Sequence, residues 1–99
     1  MTDHDLAQAN QHLSDGKLEE AEKTYLAILS GEKDCAEALY GLGVIALDRD
    51  QTDKAIAHFK RAVGVDPDDI RSLSALGAAF IKAELPEKAT TVLAETINR

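Results

Sequence analysis

Small and large apolar residues recur along this 99-residue chain on a fixed beat. Alanines at 21, 55 and 89 are 34 residues apart and close related segments: Lys17-Leu-Glu-Glu-Ala21, Thr52-Asp-Lys-Ala55 and Pro86-Glu-Lys-Ala89. Four residues after each alanine stands a large apolar side chain, Tyr25, Phe59 or Leu93. Upstream, Leu42-Gly43 returns as Leu76-Gly77 and Leu39 as Leu73, again 34 apart. Self-similarity at such a period marks a repeat architecture, and the chain is just under three periods long.

Within a period the apolar spacing is helical. Leu39, Leu42, Gly43 and Ala46 fall at i, i+3, i+4 and i+7, one face of a helix. Asp34 is expected to cap its start, with Glu37 three residues on as in a capping box. The polar run Asp48-Arg-Asp-Gln-Thr52 then predicts a short turn. A second helix carries Ala55, Ile56, Phe59, Ala62 and Val63 on one stripe, with Lys54, His58, Lys60 and Arg61 opposite. Asp66-Pro67 closes it, with Pro67 expected in the first turn of the next helix and Pro86 in the same role for the last. Gly16 is placed as the C′ glycine that ends the first helix. The pattern predicts an all-α fold of six helices with no strand. Its small residues let helix axes approach, and the large residue one turn later fills the adjoining gap.

This arrangement resembles the tetratricopeptide repeat, a 34-residue helix–turn–helix family, over nearly the whole chain. The second repeat carries the likeness at Leu39, Leu42, Gly43, Ala46, Ala55, Phe59, Ala62 and Pro67, and the third at Leu73, Leu76, Gly77, Phe80, Ala89 and Leu93. The first departs from it: Asp5 and Gln8 occupy columns that are usually apolar, and Ala9 replaces the glycine. Its opening helix therefore either frays or leans on Leu6, Ala9 and Leu13. The resemblance implies one domain, residues 1–99, of three antiparallel helix pairs stacked in a right-handed α-solenoid. The repeats run over about 2–34, 36–68 and 70–99.

The resemblance also implies that the first helix of each repeat lines a concave face. The columns pointing there are Asp3, Leu6, Asn10, Leu13 and Ser14; then Glu37, Tyr40, Val44, Leu47 and Asp48; then Arg71, Ser74, Ala78, Ile81 and Lys82. Tyr40, Val44, Leu47 and Ile81 are not required by the core columns, so they are expected to floor a groove for a peptide or helix of a protein partner. Some family members clamp a partner's terminal carboxylate there with basic and amide side chains. The matching columns here read Leu6, Asn10, Gly41, Arg71 and Ala75, which leaves too few donors to offset the desolvation of a carboxylate.

Charge narrows the partner. Eighteen acids against 11 bases give −7, distributed as −5 over residues 1–34, −2 over 35–68 and zero over 69–99. The sign disfavours nucleic acid and anionic membranes, and the first repeat suits a partner with a basic segment. Only 4% of residues are aromatic and none is Trp, so the core is aliphatic. A start without signal-peptide features, a lone Cys35 and no apolar run of membrane-spanning length together predict a cytoplasmic protein.

Catalytic chemistry finds no foothold in the pattern. Gly41-Leu-Gly-Val-Ile-Ala46 spells a dinucleotide-binding fingerprint but follows no predicted strand, so no cofactor is expected. His4, His12 and His58 lack metal-ligand spacing and read as surface histidines, and Cys35 has no CxxC partner. The expected function is a non-catalytic interaction scaffold. The alternative is an assembly region: Leu13 to Leu29 looks like repeats placed before bacterial transferase domains. Ala89, Leu93 and Ile97 would leave an apolar stripe on the last helix, covered by a second copy in a homodimer or by a further domain.

Overall fold

The repeat period reappears as backbone geometry. The computed structural model describes residues 2–83, with side chains from His4 onward. It holds five α-helices and, among the described residues, no strand: α1 (Thr2–Ser14), α2 (Leu18–Gly31), α3 (Ala36–Asp48), α4 (Thr52–Val65) and α5 (Ile70–Lys82). α3 starts 34 residues after α1, α5 34 after α3, and α4 34 after α2. The expected sixth helix, with Pro86, Ala89, Leu93 and Ile97, lies outside the described residues. α1 packs on α2 and α3 on α4 as antiparallel pairs, while α2 against α3 and α4 against α5 join one pair to the next.

The core explains the beat. Ala21 and Ala55 are fully buried where helices approach, and Tyr25 and Phe59, one turn on, are fully buried beside them. One cluster gathers Ala9, Ala21, Tyr25, Ile28, Cys35, Ala38, Leu42 and Ile45, with Leu6 and Leu13 packed against it. α1 is therefore formed without the usual apolar columns, because Ala9 is buried and the two leucines lean on the Tyr25 layer. A second cluster gathers Ala46, Ala55, Phe59, Leu76, Ala79 and Phe80. A Cβ on Gly43 would meet the Phe59 ring at 2.4 Å, and one on Gly41 the Tyr25 ring at 2.3 Å. Close approach of α3 to α2 and to α4 therefore demands glycine at both places.

The turns repeat as well. Gly16 and Asp50, 34 apart, both adopt positive φ, at 77° and 59°. Each is followed by the same long bond closing the helix, Lys17 N–H to His12 O and Gln51 N–H to Ala46 O, both 2.8 Å. This is the glycine-type helix end expected at Gly16, with Asp tolerated in the left-handed region at 50.

Two expected helix starts are corrected. Asp34 does not cap α3: the N-cap is Cys35, which makes no side-chain cap bond. Pro67 is not in the first turn of α5 but in the preceding turn, and the cap is Asp69. Its carboxylate accepts from Arg71 N–H at 3.1 Å and from the Ser72 hydroxyl at 2.8 Å. Burial alone would raise the Asp69 carboxyl, but the Ser72 and Arg71 interactions outweigh it and hold it below the ordinary value.

Candidate functional site

α1, α3 and α5 carry the expected groove columns, and the described structure draws several of them together. Tyr40 is half-buried on α3, with its ring centroid 5.8 Å from that of Phe59, tilted at 45°. The Arg71 guanidinium of α5 stands 5.2 Å from the same Tyr40 ring, in cation–π range, and also pairs with Asp69 at 3.5 Å. Tyr40 is thus held from two elements.

Val44 and Leu47 follow it along α3, half-buried against the second core cluster. This corrects the expectation that Tyr40, Val44 and Leu47 are dispensable to the core. They are the outer edge of the Phe59 layer, because the large ring reaches the α3 face between them. Ile81 remains 56% exposed, and Ser74 and Ala78 are exposed beside it on α5.

Lys82 closes the far end. Its ammonium donates to Leu47 O at 3.1 Å and pairs with Asp50 at 2.8 Å. The hydrogen bond from Lys82, then its charge, holds the Asp50 carboxyl below its usual value. At the other end, Asn10 accepts a hydrogen bond from the Tyr25 hydroxyl. Burial, then the charge of Glu37, then Tyr40 push the Tyr25 phenol up to about 12, so it remains a donor throughout the physiological range. Asn10 and Glu37 themselves are exposed, whereas Leu6 and Leu13 are half-buried in the α1–α2 core and offer the groove only their edges.

The possible self-association residues Ala89, Leu93 and Ile97 lie outside the described residues. Sequence reasoning missed the Gly41–Tyr25 contact and the Asp69 cap. His58, read as a surface histidine, is half-buried, with Nδ1 sealed from solvent and without a partner. Among the described residues no group of three or more His, Cys, Asp or Glu side chains could hold a metal ion. No described helix is long and apolar enough to cross a membrane.

Paired helices stacked at a constant 34-residue period, with a continuous face built from alternate helices, define an α-solenoid repeat protein. The sequence matches the family described as Tetratricopeptide repeat over residues 6–70, and the chain belongs to that family. Sequence comparison with curated proteins gives no match. Among solved structures, MamA superposes with a TM-score of 0.91 at 17% identity, over 99% of this chain and 57% of that one. An O-GlcNAc transferase variant from Thermobaculum terrenum gives 0.92 at 23% identity, over 98% of this chain and 19% of that one. The second TPR of Spaghetti (RPAP3), bound to the HSP90 peptide SRMEEVD, gives 0.90 at 14% identity, over 97% of this chain and 89% of that one. These likenesses show the fold. Tetratricopeptide repeats are in general protein-interaction modules without catalytic activity of their own.

Proposed function

We propose that the chain is a non-catalytic scaffold that binds a peptide or helix of a partner protein along the α1–α3–α5 face. The observation that carries the reading is Tyr40, an aromatic ring fixed between Phe59 and Arg71 with Val44 and Leu47 beside it and exposed Ile81 on the facing helix. A rigid ring of this kind costs little entropy on binding and makes a good anchor. The solved TPR carrying an HSP90 peptide supports peptide recognition on this fold, although the donors for a carboxylate clamp are missing here. The −5 charge of residues 1–34 favours a partner whose basic segment lies over the first repeat.

Phage-displayed peptide selection on the whole chain, followed by calorimetry, tests it. Binders should have micromolar affinity, about −8 kcal/mol, as expected of a small surface. Tyr40→Ala should weaken them by roughly 2 kcal/mol. Ile81→Glu, on an exposed side chain that cannot disturb the core, should weaken them too. Selected peptides indifferent to both substitutions would remove the groove from consideration.

The second reading is a docking region appended to a longer protein, such as a bacterial transferase. It is supported by the segment Leu13–Leu29 and by the likeness to part of the Thermobaculum terrenum enzyme.

A further inference from the structure

On the opposite side of α3 from Tyr40, Val44 and Leu47, a cleft of about 350 Å³ opens between α2 and α4. At 100° per residue Leu42, Ile45 and Ala46 point away from the groove face. The cleft floor is apolar, with Leu42, Ile45 and Ala57, and its rim is polar, with Glu22, Lys54 and His58. None of these residues contributes to the groove.

The rim is a donor surface. The Glu22 carboxylate accepts from Arg49 at 3.0 Å, which offsets its charge. Lys54, His58 and Arg61 share one face of α4 at i, i+4 and i+7, a local cationic stripe on a chain of net charge −7. His58 Nδ1 is buried without a partner. An N–H in that position would be an unsatisfied buried donor, so the neutral ring carries its proton on Nε2. Burial first, then the charges of Arg61 and Lys54, keep the ring from taking a second proton, against an opposing pull from Glu22. His58 therefore offers a single N–H donor next to the Lys54 ammonium, at the edge of an apolar slot.

We propose that this outer cleft is a second binding site, which takes the aliphatic C-terminal residue of a partner protein. Its side chain lies over Leu42, Ile45 and Ala57, and its terminal carboxylate accepts from Lys54 and His58 Nε2. An Asp or Glu side chain carries the carboxylate on too short an apolar stem to cover that floor, and an internal aliphatic residue brings no charge. A C-terminal Leu, Ile or Val supplies both in one residue, and a charge-assisted pair of donors suits its carboxylate.

An amide-resolved NMR titration of the full chain tests this with three probes: acetyl-Gly-Gly-Leu with a free carboxylate, the same peptide amidated, and isocaproate. The free peptide should shift Gln51, Lys54, Ala57 and His58, and amidation should weaken it roughly tenfold. Lys54→Gln and His58→Gln should each weaken it to a similar degree. Lys54 is exposed, so its variant carries the test if the His58 variant does not fold. Equal binding of acid and amide, or shifts at Tyr40, Val44 and Leu47 with none in the cleft, would overturn the proposal. Isocaproate binding as tightly as the peptide would overturn a protein terminus as the occupant.

Discussion

Gly41→Ala adds one methyl group to α3, and the structure places that methyl 2.3, 2.5 and 2.8 Å from Cζ, Cε2 and Cε1 of Tyr25. The ring has nowhere to go: Tyr25 is fully buried and its hydroxyl is tied to Asn10. Helix propensity alone would make the change favourable by about 1 kcal/mol. Overpacking a filled core costs about 1–3 kcal/mol, and three ring atoms below contact distance put this case at the upper end. The expected net loss is about 2 kcal/mol, or a fall in Tm of roughly 8–16 °C for a domain of this size. Tyr25→Leu removes the three offending atoms. It should lower stability by itself, yet in its background Gly41→Ala should be neutral or stabilising by up to about 1 kcal/mol. Urea and thermal unfolding of the four proteins, followed by circular dichroism, close the cycle with a coupling of about 2–3 kcal/mol. If Gly41→Ala has the same sign and size in both backgrounds, the glycine is not there to admit Tyr25.

Asp69→Ala removes the cap of α5 and should cost about 1 kcal/mol in urea unfolding at neutral pH, with the difference shrinking as acid protonates the carboxyl. His58 has a depressed folded pKa, so stability is full above the ordinary value of 6.5 and falls as pH drops through the folded value. His58→Gln should flatten that part of the pH–stability curve, and a curve parallel to wild type would show that the ring's burial has no effect. If a second copy covers the Ala89, Leu93 and Ile97 stripe, light scattering should show a concentration-dependent mass that Ile97→Glu abolishes.

The fold was legible because the 34-residue period is written in residues with no choice of environment. Ala21 and Ala55 must be small, Tyr25 and Phe59 must be buried, and the helix starts fall on the same beat. The caps were misread because local chemistry was weighed before the period. Asp34 and Glu37 have capping-box spacing, but Cys35 is buried in the first cluster, and that burial fixes where the chain turns into α3. Asp69 lies 34 residues after Cys35 and is the cap of the corresponding helix. The repeat applied to helix starts, rather than only to core columns, would have found it.

The candidate sites were less legible because each depends on how far neighbouring helices reach over a given side chain. His58 does lie on the polar stripe of α4 with Lys54 and Arg61, as the helical spacing says. What seals its Nδ1 is the surrounding packing beside Glu22 of α2, a relation between repeats that no within-helix period encodes. Tyr40, Val44 and Leu47 were set aside as surplus for the same reason. A signal for both was nonetheless present in α3, whose only charged residues are Glu37 and Asp48 near its two ends. A helix with no polar face packs on both sides. In α3 one apolar side meets the groove through Tyr40, and the other floors the outer cleft through Leu42 and Ile45. The missing polar stripe of one central helix thus accounts for two binding faces on a chain of this size.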